Sequence, residues 1–165
     1  ISHSDDDAYI STLISAARRL VELRTGLKLV QQGWSVYRDR WPADATVELR
    51  LFPVIQVDDV RIFGEDDTPA TLDAAHYFLD RASNPARLVI RSGRTPPVPG
   101  RRANGIEIRL QAGFGATAST VPPELRQAVL LAVAACFARR GDDAGLTLPA
   151  DALDLVAPYR TMRLA

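Results

Sequence analysis

Cysteine is almost missing from this chain, one residue in 165, so an internal disulfide and a cysteine-based metal site are both excluded. That residue, Cys136, stands in an apolar run and is expected to be a buried, inert thiol, which removes redox chemistry from consideration. Histidine is nearly as scarce: His3 and His76 are the whole supply, and neither has a partner at metal-ligand spacing. Lysine occurs once, at Lys28, outside any glycine-rich phosphate loop. Net charge is also absent, since 20 basic residues balance 20 acidic ones, and with it goes the long-range field of a tight nucleic-acid binder. The longest apolar run, Ala128 to Ala138, falls short of the roughly 18 or more residues of a membrane span. The polar stretch Ser2-His3-Ser4-Asp5 lacks signal-peptide character, and the expectation is an intracellular, unanchored product with no membrane contact.

What remains is an ordinary composition. With 47% apolar and 24% charged residues the chain suits one soluble domain carrying an insertion. A chain of this length hides roughly 70% of its unfolded surface, so it needs no staples. All basic residues except Lys28 are arginines, a bias that a G·C-rich coding genome explains at least as well as a need for bidentate contacts. Internal repeats and low-complexity tracts are missing.

Ser4 followed by Asp5, Asp6 and Asp7 reads as an N-cap with carboxylates over the positive end of a helix. Ile10, Leu13, Ile14, Ala17, Leu20 and Val21 then recur at helical steps on one face, with Thr12, Ser15, Arg19 and Glu22 on the other, until Gly26 supplies the stop. This predicts an N-terminal helix over 4–26.

From Gln31 the period becomes two. Trp34 and Val36 alternate, then Val47, Leu49 and Leu51, then Ile55 to Phe63, where the phase slips at Asp58-Asp59 as a bulge would make it. Gly64 to Asp67 reads as a turn, Tyr77 to Leu79 and Leu88 to Ile90 as short strands around the turn Ser83-Asn84-Pro85, and Ile106 to Gln111 as the clearest strand. No helical crossover separates these pieces, so the inserted β-region, 31–115, should be mainly antiparallel. Between its last two strands, Arg91 to Arg102 is rich in proline, glycine and arginine, aperiodic and without apolar anchors; it reads as a long exposed loop.

Pro122-Pro123-Glu124 opens a second helix and Arg139-Arg140-Gly141 closes it. Leu125, Val129, Ala132 and Cys136 form one apolar stripe, and Leu130, Leu131, Ala134, Phe137 and Ala138 form another on nearly the opposite side. A helix apolar all round must be covered all round, by its own domain or by another subunit. A short helix, Ala150 to Val156, completes the C-terminal helices, 122–157, ahead of an apolar and basic tail stopped by Pro158. The fold class is α+β, with helices at both ends of the chain and a mainly antiparallel sheet between them.

Chemistry is thinly supplied. Asp5-Asp6-Asp7, Asp66-Asp67 and Asp142-Asp143 fall at helix starts or turns, where aspartate serves the backbone. Gly113-Phe114-Gly115-Ala116-Thr117-Ala118 formally matches a relaxed dinucleotide fingerprint, but the helix cannot begin before about Pro122 and no βαβ unit receives a dinucleotide. The sequence therefore supports no catalytic residue, no metal and no cofactor.

Several strings occur in a telling order: Gly26-Leu27-Lys28-Leu29-Val30, Trp34, Trp41-Pro42, Tyr77 with Arg87-Leu88, Gln111-Ala112-Gly113-Phe114-Gly115, Val121-Pro122-Pro123-Glu124-Leu125-Arg126-Gln127-Ala128, and Pro158-Tyr159-Arg160. Together, from about residue 5 to residue 164, they resemble the head–tail connector proteins (adaptor or head-completion proteins) of tailed phages and gene transfer agents. The region Gly141 to Pro149 has no counterpart in that pattern.

The resemblance implies a small helical bundle (N-terminal helix plus two C-terminal helices) with an inserted, mainly antiparallel β-domain, in a non-enzymatic structural protein of the particle neck assembled in the bacterial cytoplasm. It implies a ring, expected to be a dodecamer, beneath the portal protein, with a stopper or other tail-proximal protein below and DNA passing through the channel without sequence-specific binding. It carries portal docking to Pro158, Tyr159, Arg160, Met162 and Arg163 in the tail 158–165. The second apolar stripe of the helix then becomes the subunit interface, a heterologous contact that closes a ring. Arg91, Arg94, Arg101 and Arg102 are expected at the lumen or rim. A different reading makes those four arginines the centre of a small nucleic-acid-binding module, with steeply salt-dependent DNA binding.

Overall fold

The computed structural model describes residues 4–138 and 147–160, with side chains from Asp7 onward. The chain divides into two compact units, one made of Ile1–Leu29 with Gly115–Ala165, the other of Val30–Phe114.

The first unit is helical: α1 (Ser4–Thr25), α2 (Pro123–Ala138) and α3 (Ala150–Val156), followed by a 3-10 turn, Ala157–Tyr159. The expected apolar face of α1 buries Ala17 and Val21, while α2 buries Leu125, Ala128 and Ala132 and α3 buries Ala152 and Val156. Each larger aliphatic among these contributes about 1.5–3 kcal/mol by leaving water. Gly26 ends α1 at φ +78°, its N–H bonded to the Glu22 carbonyl.

Two sequence expectations are corrected here. Glu22, assigned to the solvent side, is 4% exposed, because its carboxylate accepts the Leu29 backbone N–H at 3.0 Å and so satisfies the turn that leaves the helix. Ile14, assigned to the buried side, is exposed. The Ser4 cap and the Arg139-Arg140-Gly141 close lie outside the described side chains and residues.

The second unit is all β apart from a 3-10 turn, Ala74–His76. One sheet runs in the order β1 (Gln32–Arg38), β7 (Ile106–Ala112), β3 (Val54–Phe63), β4 (Pro69–Thr71); the other runs β2 (Thr46–Leu49), β6 (Ala86–Ile90), β5 (Tyr77–Asp80). Every strand pairing among the described residues is antiparallel. Register slips in β3 between Val57 and Asp59, where the phase change predicted a bulge, and again between Val54 and Gln56. The inward residues of both sheets, Val47, Leu49, Val60, Leu88, Ile106, Ile108 and Leu110 among them, form one cluster. Two arginines bridge from one sheet to the other: Arg38 donates to the Glu48 carbonyl and Arg81 to the Ile55 carbonyl. Strand β4 escaped the sequence reading, being three exposed residues with no alternation to see.

The segment after β6 is a long, largely exposed loop as expected, but distant residues hold it, Pro99 among the contacts where no apolar anchor was expected. Trp41 Nε1 donates to the Pro97 carbonyl at 3.0 Å, Gly100 N to the Phe63 carbonyl at 2.9 Å, and Asn104 N to Asp39 Oδ1 at 2.8 Å. Pro99 lies against Gly105, where a Cβ would come within 2.5 Å of the proline ring. Periodicity could not reveal these contacts, since they join residues far apart in sequence.

Candidate functional site

About 100° per residue puts Phe137, Leu130, Ala134, Ala138 and Leu131 on one arc of α2, opposite the buried arc of Leu125, Ala128 and Ala132. The middle of that arc is open: Leu130 is 57% exposed, and Ala134 and Ala138 are exposed. Its flanks are half-buried, and the Phe137 ring stands 6.4 Å from that of Tyr9 on α1. Cys136 is half-buried rather than buried: it lies beside Leu125 on the buried side of α2, but in the last turn of the helix.

Of the tail residues, Pro158 and Tyr159 fall in the 3-10 turn and Arg160 follows it, exposed; Met162 and Arg163 lie outside the described residues. The Tyr159 hydroxyl donates to Glu124 Oε2 at 3.0 Å, in the first turn of α2. Burial, then this bond and the carboxylate charge, push the phenol above its ordinary range.

The four arginines do not form one patch of equal charges. Arg91 lies 5.4 Å over the Phe78 ring. Arg101 pairs with Asp67 at 2.7 Å and lies 4.4 Å over the Phe63 ring. Arg94 and Arg102 are exposed and, like Arg91, form no ion pair among the described residues, so only Arg101 of the four has its charge paired.

One polar constellation went unseen in the sequence. On the face of the four-stranded sheet away from the core, Glu107 Oε1 accepts from Ser35 Oγ at 2.8 Å and Tyr37 Oη at 3.0 Å, while Arg61 approaches its other oxygen at 3.8 Å. Asp59 lies between Arg61 and Arg109, at 3.2 and 3.3 Å. Burial works to raise the Glu107 carboxyl, but the Ser35 and Tyr37 bonds and the two guanidiniums outweigh it and hold the group below its usual range. Alternation marks Glu107 and Arg109 as outward, yet which groups oppose them depends on pairing with β1 and β3, which the sequence does not display. The charges compensate one another, so the network serves the sheet and leaves no poised acid or base.

Among the described residues no group of three or more His, Cys, Asp or Glu gathers to hold a metal, and no helix is long and apolar enough to cross a membrane. Gly113 and Gly115, at φ +135° and +157°, end β7 at a sharp turn, well before α2 begins.

No family model and no curated sequence matches the chain. Solved structures do. The chain is similar to a chain in the neck of an empty GTA particle computed with C6 symmetry, at TM-score 0.82 and 28% identity over 97% of this chain and 80% of that one. It is similar to a chain of a native gene transfer agent virion at TM-score 0.81 and 26% identity, over 97% and 80%. A chain in the neck of a native GTA particle computed with C12 symmetry matches at TM-score 0.81 and 27% identity, over 98% and 87%. These neighbours are components of gene transfer agent particles, two of them of the neck, which supports a structural neck protein of such a particle.

Proposed function

We propose that this chain is a non-catalytic structural component of the neck of a phage-like particle: a head–tail connector that forms a ring beneath the portal and joins the filled head to the stopper and tail. The observation that carries the reading is the likeness to a GTA neck chain over 97% of this chain at TM-score 0.82. The C12 symmetry applied to one such neck supports a ring of twelve. The open centre of the α2 arc, Leu130, Ala134 and Ala138 with Leu131 and Phe137 at its flanks, supports a seam between copies, since exposed aliphatics on a helix gain from a neighbour.

In this reading Pro158, Tyr159, Arg160, Met162 and Arg163 dock the portal, and Arg91, Arg94, Arg101 and Arg102 lie at the rim or lumen. Zero net charge suits a conduit, because a strongly basic channel would hold DNA through many phosphate contacts. Assembly takes place in the bacterial cytoplasm before the particle is released.

The test is light scattering of the chain alone and after mixing with portal-bearing heads at physiological salt. Stoichiometric addition to the heads, lost in a Tyr159→Ala/Arg160→Ala variant that still folds, is the expected result. Failure of the unaltered chain to join the heads overturns the reading, and tight salt-dependent binding of free DNA in its place favours the nucleic-acid module.

A further inference from the structure

The most exposed large hydrophobic side chain among the described residues, Val98 at 88%, stands in a segment whose neighbours are anchored. It stands between Pro97, whose carbonyl is held by Trp41, and Pro99, which packs against the Gly105 backbone. Just beyond, Gly100 bonds to Phe63, and Arg101 is clamped by Asp67 and the Phe63 ring. A side chain presented this way has little freedom left to lose on contact, so its apolar surface is pre-organised for a partner. On either side in sequence stand two exposed arginines that form no ion pair among the described residues, Arg94 and Arg102, and no acidic residue occurs in sequence between Arg91 and Asn104, although the Glu65 backbone and side chain lie against Gly100.

The complementary pattern occurs on α3. Helical spacing of about 100° per residue sets Leu153, Ala150, Asp154 and Asp151 side by side across its exposed arc. Leu153 is 39% exposed, and both aspartates are exposed and form no ion pair among the described residues. An apolar tip with two unpaired guanidiniums thus has a counterpart in an apolar patch with two unpaired carboxylates.

We infer that the Val98 tip of one copy of this chain docks on α3 of a second copy, with Arg94 and Arg102 facing Asp151 and Asp154. The inference rests on the ring reading above and adds to it. Tip and patch are different surfaces, so the contact is heterologous, as a ring requires, and it supplements the α2 seam rather than replacing it. Charge complementarity sets the register between copies while the apolar centre excludes water.

The test is charge reversal with rescue in the full chain. Assembly is read by sedimentation velocity of the chain alone and by co-sedimentation with portal-bearing heads. Arg94→Glu/Arg102→Glu and Asp151→Arg/Asp154→Arg should each weaken association by about tenfold or more, because reversal sets like charges against each other across the contact. Combining all four substitutions should restore it. Val98→Asp should also weaken association with unchanged thermal unfolding, which keeps the test decisive if the fourfold variant folds poorly. Assembly of the reversed variants at the level of the unaltered chain overturns the contact and leaves the connector reading standing, even if those variants lose affinity for DNA. An unaltered chain that stays monomeric both alone and with the heads overturns the two together.

Discussion

Tyr159 and Glu124, 35 residues apart, are joined by a hydrogen bond of 3.0 Å that ties the last described turn to the start of α2. A net hydrogen bond is worth about 0.5–1.5 kcal/mol, so Tyr159→Phe should raise local opening of the turn by roughly a factor of 2 to 10. Hydrogen exchange of the Ala157 to Arg160 amides reads this out, with global unfolding unchanged. The phenol is shifted upward, so the tie holds through neutral pH and is lost as pH rises past the ordinary 10.0 and through the raised value.

Leu130 and Leu125 lie on opposite arcs of α2, one open and one fully buried. Leu130→Asp should change stability by less than about 0.5 kcal/mol while abolishing ring formation on portal-bearing heads. Leu125→Asp should fail to fold, since it buries a charge without a partner. Circular dichroism with co-sedimentation separates the two, and normal assembly of Leu130→Asp removes that arc from the seam.

Asp80 locks the β5–β6 turn by accepting from Ser83 and from Arg87, and these bonds lower its carboxyl from 3.8 to about 2. A lowered carboxylate stabilises the fold above its unfolded pKa and loses that contribution as pH falls through the folded one. Thermal unfolding followed from pH 5 to 2 should therefore drop more steeply in the unaltered chain than in Asp80→Asn, with the difference confined to the range between about 4 and 2.

Glu107 is 8% exposed, and its removal takes away the acceptor of two hydrogen bonds, from the Ser35 and Tyr37 hydroxyls, and the carboxylate that Arg61 faces. Glu107→Ala should cost about 1–3 kcal/mol in urea unfolding, and Glu107→Gln, which retains an acceptor oxygen, should cost less.

Gly113 has φ +135°, and a Cβ there would meet the Val30 backbone at 2.5 Å. Gly113→Ala should destabilise by about 2–3 kcal/mol, because rigid backbone cannot withdraw as a side chain would. A urea midpoint equal to that of the unaltered chain would refute the close approach.

The helices and most strands were legible because burial imposes a period on neighbouring residues. Ile10 to Val21 and Ile106 to Gln111 show it plainly, and the slip at Asp58-Asp59 even exposed the bulge. What was hidden depends on distant partners. Glu22 looks like a surface residue until the Leu29 amide reaches it, and the segment around Val98 looks loose until Trp41, Phe63 and Gly105 take hold of it. The second apolar arc of α2 was visible as composition, but its division into an open centre and covered flanks depends on how α1 packs.

The near-contact of Gly113 with Val30 means that the β unit begins and ends at almost the same point in space. A module with adjacent ends can be exchanged for another of different size without rerouting the chain that hosts it. The interior of the insertion is therefore free to diversify at the scale of whole strands and loops, with Gly113 as the residue that any replacement must keep or imitate.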